Sequence, residues 1–265
     1  QLDQLPNLKA VFYGAGSVQA FARPLLKKGI IVMSAWGANA IPVAEFTLAQ
    51  ILLANKGYFR NIRDCKSPEI RRSGAAFTGK GNFGETVAIL GAGMIGKLLI
   101  RLLKNFTLKV VVYDPYLSEE AAGELGVEKV SLEEAFSRAY VVSNHVPDLP
   151  STKKMLGGRL FAMMRENAVF INTGRGATVV EDELIEVLKK RPDLTALLDV
   201  TWPEPPEPDS ELYALPNVYL TSHIAGSLGD EVVRMADYCI DEFLAWESGK
   251  PLKYSVSLEM LETMA

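Results

Sequence analysis

The stretch Gly91-Ala92-Gly93-Met94-Ile95-Gly96 closes the apolar run TVAIL and opens the helical pattern KLLIRLLKNF. Glycines at this spacing between a strand and a helix have separate uses: Gly91 makes a tight turn, Gly93 lets the backbone approach a pyrophosphate, and Gly96 allows the helix to pack closely on the strand. The phosphates would rest on the helix N-terminus, where Met94 and Ile95 offer backbone N–H groups. The next apolar run, LKVVVYD, ends in Asp114, 18 residues after Gly96. A carboxylate there accepts hydrogen bonds from both ribose hydroxyls of a dinucleotide and repels a 2'-phosphate. No Arg follows it, so the pattern selects NAD over NADP. Taken singly, a glycine turn and a surface aspartate in some other α/β protein would look the same.

Three further side chains have the right types for reactions on a small acid. His223, in TSHIAG, is one of two histidines in the chain; the other, His145, follows YVVSN. Arg175 stands in TGRG after AVFIN, and its planar fork suits a carboxylate. Glu204 lies in TWPEP. Each has a plainer reading: a lone loop histidine is more often structural, an arginine between glycines is often solvated, and a glutamate among prolines is usually surface.

The elements that must carry these residues follow from period and punctuation. LKAVFYG, a helix over SVQAFARPLLKK, GIIVM and a long apolar helix over VAEFTLAQILLANKGYF form a first set of α/β units. A polar stretch from about Asn61 to Glu85, with glycines at 74, 79, 81 and 84, reads as a surface connection. The rhythm restarts with TVAIL and continues through LKVVVYD, a helix around SEEAAGEL, and SLEEAFSRA, where Ser131 and Glu134 have capping-box spacing. YVVSNHV, AVFIN, LTALLDV and NVYLTS are further strands, WPEPPEPDS must be a loop, and an amphipathic helix spans roughly residues 230–247. The pattern predicts a doubly wound parallel Rossmann sheet.

With 48% hydrophobic and 23% charged residues, the chain can bury one or two cores. A net charge of -4, with no basic cluster beyond Arg71-Arg72, argues against a nucleic-acid partner. Cys65 and Cys239 are far apart and show neither disulfide nor zinc spacing, so no metal is expected and a reducing, cytoplasmic setting fits. No apolar run approaches the roughly 18 residues of a membrane span, and no export signal is seen. The chain begins with Gln rather than Met, which reads as a trimmed or partial sequence.

GAGMIG with Asp114, INTGRGATVVEDELIEVLKK, LLDVTWPEP and LPNVYLTSHIAG, joined by NHVP and GANAIPVAEFTLAQILL, together resemble the D-2-hydroxyacid dehydrogenases, in that family's order. The resemblance implies an NAD-dependent oxidoreductase that moves a hydride between nicotinamide and a small D-2-hydroxy or 2-keto acid. Such chemistry needs a proton carrier, a cation for the carboxylate and developing oxyanion, and a held nicotinamide. It assigns these to His223, to Arg175 and to the cleft, with Glu204 fixing the imidazole tautomer and stabilising its charged form. His145, the rival base, is placed beside the cofactor instead. Asp199 would accept from the nicotinamide carboxamide, its alternative being a strand-end cap. Val146, Thr173, Gly174 and Gly226 would line the cofactor cleft.

The resemblance also implies a second, smaller flavodoxin-like α/β substrate domain, here incomplete, from residues 1–38 and 228–265, with the Rossmann domain over 39–227. YGAGSV and SAWGANA match two of its substrate loops, which makes Ser17 and Trp36 candidate contacts. Trp36 and Ser222 both stand where the family usually carries proline, and the first departure bears on the substrate pocket. The chain starts after the family's substrate domain has laid down its first strands, so exposed apolar surface is expected there. The helix Val43 to Tyr58 corresponds to the family's dimer contact, and a homodimer is expected; the alternative is a helix buried between domains. A relative of another class, an NAD-sensing corepressor, keeps the same Arg, Glu and His, but the chain shows no extended arms for partners. Formate oxidation is disfavoured by Glu204, and phosphite oxidation stays open.

Overall fold

The computed structural model describes residues 2–73 and 79–264. Gly74 of the expected surface connection lies outside them, as does the side chain of Arg72. Two compact units result, Gln1–Val43 with Gly226–Ala265, and Ala44–Ala225. The divisions thus fall at 43/44 and 225/226 rather than at 38/39 and 227/228.

In chain order the elements are β1 (Ala10–Tyr13), α1 (Ala22–Lys27), β2 (Ile31–Ser34), α2 (Trp36–Asn55), α3 (Tyr58–Asp64) and α4 (Pro68–Ser73). There follow β3 (Phe83–Leu90), α5 (Met94–Leu103), β4 (Thr107–Tyr113), α6 (Glu119–Leu125), β5 (Glu128–Lys129), α7 (Leu132–Arg138) and β6 (Val141–Asn144). The rest are α8 (Gly158–Ala162), β7 (Val169–Asn172), α9 (Glu181–Lys190), β8 (Thr195–Leu198), β9 (Val218–Leu220) and α10 (Glu231–Glu247).

The larger unit is the doubly wound sheet, with strand order β5-β4-β3-β6-β7-β8-β9 and every neighbouring pair parallel. Its central strands β6, β7 and β8 are buried on both faces, which is why they read as continuous apolar runs. Ala88, Leu90, Val142, Phe170 and Ala196 point to one face, where they meet Phe136 of α7, Phe161 of α8 and Leu184 of α9. Val87, Ile89, Val141, Ile171 and Leu197 point to the other, against Ala44 and Ile51 of α2 and Leu99 and Ile100 of α5. The capping box at α7 forms as expected, with Ser131 Oγ accepting from Glu134 N–H and the Glu134 carboxylate accepting from Ser131 N–H.

The register aligns the strand ends. Tyr113 pairs with Leu90, Leu90 with Asn144, Asn144 with Asn172, Asn172 with Leu198, and Leu198 with Leu220. Asp114, Gly91, His145, Thr173, Asp199 and Thr221 therefore leave the sheet in one row at its carboxyl edge. The chain moves from β3 out to β4 and β5 and then returns to β6 beside β3, which makes that junction the switch point where such sheets bind ligands.

Several expected elements change. The supposed connection at 61–85 contains most of α3, all of α4 and the start of β3. The long helix begins at Trp36, through Pro42, and stops at Asn55 because Gly57 takes a left-handed φ of 65°. Trp36 is thereby a first-turn helical residue rather than part of a loop. At 20 residues with mean hydropathy 1.3, α2 also meets the length and composition of a membrane-crossing helix, contrary to the sequence expectation. Its buried Ala44, Ile51 and Ala54 pack on the sheet, as in a core helix.

In the smaller unit β1 and β2 pair in parallel, and Ser255 bridges to Met33 in the antiparallel sense. α1 starts only at Ala22, after a turn in which Val18 O accepts from Phe21 and Ala22 N–H. Val18, Leu25, Ile30, Val32, Val256 and Leu261 form the core. α10 buries Met235 and Glu242 and leaves Val233, Ile240 and Leu244 more than half exposed.

Candidate active site

The turn after β3 is built from backbone contacts. Gly91 has φ 90° and donates its N–H to Tyr113 O at 2.8 Å. A Cβ on Gly96 would lie 2.1 Å from Gly91 O, so only glycine lets α5 start this close to the strand. Gly93 is exposed, and a Cβ there would meet nothing within 4 Å. Met94 beside it is half exposed, and the opening turn of α5 has N–H groups with no partner inside the helix. Asp114 pins the turn: Ala92 N–H donates to Oδ2 and Tyr116 N–H to Oδ1, each at 2.7 Å. Each carboxylate oxygen keeps a lone pair, and the side chain is only partly buried. An open glycine face, a helix N-terminus and a carboxylate fit the pyrophosphate and ribose of NAD.

Arg175 follows β7 between two glycines that cannot be replaced without displacing backbone. A Cβ on Gly174 would sit 3.0 Å from Asn144 O, and one on Gly176 only 2.0 Å from Thr201 O. The guanidinium donates from Nη1 to Gly174 O at 2.7 Å. Burial works against its charge and lowers its pKa, while the carboxylates of Asp148 and Glu204 offset part of that. Asp148 is a neighbour the sequence did not mark.

Glu204 and His223 meet: His223 Nδ1 lies 2.5 Å from Glu204 Oε1. Both side chains are open to solvent. Glu204 sits in a loop tied at its start by Thr201 Oγ1–H donating to Pro203 O at 2.9 Å and Trp202 N–H donating to Glu181 Oε2 at 3.1 Å. His223 itself has φ 58°, a left-handed conformation uncommon outside glycine. Buried Asp199 holds that turn, accepting from Thr221 Oγ1 at 2.6 Å, Ile224 N–H at 2.8 Å and Ala225 N–H at 3.0 Å. Asp199, just beyond the end of β8, is thus bonded to the loop that carries the histidine.

His145 lies with its Nε2 2.9 Å from Ser143 Oγ and its Nδ1 3.5 Å from Thr173 Oγ1, whose hydroxyl is 3.0 Å from Thr47 Oγ1. Burial holds its pKa down at about 4. The ring is therefore neutral at neutral pH. Val146 is buried and donates its N–H to Asn144 Oδ1.

Ser17, Trp36 and Gly226 belong to the smaller unit. Ser17 is exposed. Trp36 is partly buried, its indole edge-on to Tyr254 with ring centres 5.7 Å apart. A Cβ on Gly226 would come within 3.1 Å of Asn39 Oδ1. Sequence reasoning missed Asn144, Asn172 and Thr178, all buried in the larger unit. Asparagine closing two apolar runs, YVVSN and AVFIN, was the available signal.

Residues 48–225 match the family described as D-isomer specific 2-hydroxyacid dehydrogenase, NAD binding domain. A D-3-phosphoglycerate dehydrogenase of Archaeoglobus fulgidus is 30% identical over 236 residues, covering 89% of this chain and 44% of that protein. A glyoxylate reductase of Thermococcus litoralis is 31% identical over 255 residues, covering 94% of this chain and 77% of that protein. Among solved structures, the holo form of Rhodotorula graminis D-mandelate dehydrogenase superimposes with a TM-score of 0.77 at 27% identity, covering 94% of this chain and 74% of that one. The chain spans less than half the length of the phosphoglycerate dehydrogenases it matches. All three relatives are described by catalytic activities, so the regulatory alternative gains no support. The chain belongs to the D-isomer specific 2-hydroxyacid dehydrogenases, and residues 48–225 are its NAD-binding domain.

Proposed function

We propose that this protein is an NAD-dependent oxidoreductase interconverting a small D-2-hydroxy acid and its 2-keto acid. The observation that carries this is the 2.5 Å contact between Glu204 and His223 Nδ1 at the sheet edge from which Arg175 also rises. Gly91, Gly93, Met94, Ile95 and Gly96 would hold the pyrophosphate and Asp114 the ribose. The nicotinamide, when bound, supplies or takes up the hydride at substrate C2.

This chain's own residues do the rest. With Nδ1 turned to Glu204, His223 exchanges its proton through Nε2: it protonates the substrate oxygen as the keto acid is reduced, and removes that proton as the hydroxy acid is oxidised. Glu204 stabilises the imidazolium between those steps. Arg175 pairs with the substrate carboxylate and with charge developing on the C2 oxygen. Burial disfavours its charge and Asp148 and Glu204 offset that only in part, so an anion paired with the guanidinium would stabilise the charged form further.

A cytoplasmic homodimer is the accompanying proposal. Leu53 on α2 and Tyr58 and Ile62 on α3 are exposed apolar residues that a second copy would cover, and a monomeric mass at micromolar concentration would rule that out.

The test of function follows NADH absorbance with glyoxylate, hydroxypyruvate, pyruvate, phenylpyruvate and 2-oxoglutarate, and NAD reduction with 3-phosphoglycerate. Turnover on one of these, abolished in His223→Ala and Arg175→Ala with NADH affinity nearly intact, is the expected result. NADH binding without turnover on any of them would count against the reading.

A further inference from the structure

Asn144, Asn172 and Thr178 are at most 1% exposed and share a closed set of hydrogen bonds. Asn144 Nδ2 uses both hydrogens, donating to Asn172 Oδ1 at 3.0 Å and to Thr178 Oγ1 at 2.9 Å. Its Oδ1 accepts from Val146 N–H at 3.1 Å. Asn172 Oδ1 accepts a second bond, from Gly174 N–H at 3.1 Å. Thr178 Oγ1, having accepted from Asn144, donates its own proton to Arg175 O at 2.8 Å. Asn172 Nδ2 donates to the same carbonyl at 3.3 Å.

The directions are forced. A flipped Asn172 would turn an NH2 toward Asn144 Nδ2 and Gly174 N–H, which are both donors. A buried network with its members satisfied admits one arrangement and resists change, because any broken bond leaves a polar group unpaired away from water. Its position is the informative part. It grips the N–H of Gly174 and the C=O of Arg175, the groups on either side of the arginine. The guanidinium in turn bonds to Gly174 O. The network thus holds the peptides on either side of the one the arginine head leans on.

We infer that Asn144, Asn172 and Thr178 are positioning residues for Arg175: they fix its backbone, and through it the direction in which the guanidinium is presented to an acid. The inference rests on the proposed function only for what Arg175 binds.

Thr178→Val keeps the side chain's shape and removes the hydroxyl, whereas Thr178→Ser keeps the hydroxyl. In the whole chain, ¹⁵N relaxation at Arg175 Nε is measured for both, together with NADH affinity, melting temperature, and KM and kcat on the responsive keto acid. Thr178→Val is expected to lower the Arg175 Nε order parameter and to raise KM about tenfold, the size of one hydrogen bond, with kcat changed much less. NADH affinity stays within about twofold on the same reasoning, and Thr178→Ser returns wild-type values. Asn144→Leu, which removes the donor to both partners, supplies the same readouts if Thr178→Val does not fold. A variant that melts earlier while Arg175 Nε and KM keep their wild-type values would overturn the inference. If the wild-type chain turns over none of the acids, the proposed function fails, and the order parameter alone still decides this point.

Discussion

Asp199 holds His223 in a left-handed backbone conformation by accepting the N–H groups of the two residues that follow it. With φ at 58°, His223 sits where a non-glycine residue costs about 1–3 kcal/mol unless its surroundings impose it. The imposition comes from a carboxylate with three donors, Thr221 Oγ1, Ile224 N–H and Ala225 N–H. In that conformation the ring's Nδ1 meets Glu204 Oε1. Asp199→Ala is expected to lower kcat on the order of a hundredfold, since misplacing a proton carrier by an ångström has that effect. Asp199→Asn keeps the acceptor for Thr221 and Ile224 but turns an NH2 to Ala225 N–H, so its loss is expected to be smaller. Equal losses in the two variants would point to the charge of Asp199 and not to the loop geometry.

Two glycines in one motif separate folding from cofactor binding. Gly96→Ala drives a Cβ to 2.1 Å from Gly91 O, which is backbone and cannot swing away. Overpacking of this kind costs roughly 1–3 kcal/mol, a fall of several degrees in melting temperature. A Cβ on Gly93 meets nothing within 4 Å. Gly93→Ala is therefore expected to melt like wild type and yet to lose NADH affinity by an order of magnitude or more, because the methyl fills the space where a phosphate approaches the backbone. Calorimetry and NADH titration of both variants check this; a Gly93→Ala chain with full affinity would place the pyrophosphate elsewhere.

Asp114 has a double use that one substitution exposes. Its carboxylate ties Ala92 and Tyr116 N–H, and each oxygen keeps a lone pair that a ribose hydroxyl would use. Asp114→Ala is expected to weaken NADH on the order of tenfold, a loss of one or two hydrogen bonds, and to weaken NADPH less because a repelling charge has gone. The ratio of the two dissociation constants is the readout. Unchanged discrimination would mean that Asp114 serves the turn alone.

What could be read from the sequence was what local rules dictate. GAGMIG and Asp114 were legible because strand, turn and helix punctuation are set by neighbours in the chain. Ser131 and Glu134 were legible for the same reason, whereas Arg175, Glu204 and His223 were singled out by the family resemblance. α2 starts earlier than the sequence suggests because the resemblance places SAWGANA in a substrate loop, whereas packing of Ala38 with Ala35 and Met235 accompanies a helix there. Asn144, Asn172 and Thr178 are spread over 34 positions, and only the parallel register of β6 and β7 brings them together. The same is true of Asp199 and the loop it caps, which come from adjacent strands.

His145 supplies the pH signature. Its ordinary value of 6.5 is pushed by burial to about 4. As pH falls below 6.5 the unfolded chain takes up a proton at this ring while the folded chain does not, so folding loses stability until about pH 4, where both forms carry it. The stabilisation is complete above 6.5 and rises with pH through the window between. Denaturant titrations are expected to show a stability slope between those limits that His145→Gln flattens, and the ring's NMR shifts should titrate near 4. The same neutral ring bears on the role proposed for His223. If His145 were the proton carrier, His145→Gln would abolish turnover as His223→Ala does; retention of most of the turnover in His145→Gln is expected, because a ring protonated only near pH 4 has no proton to give at neutral pH. A midpoint near 6.5 would return His145 to contention with His223.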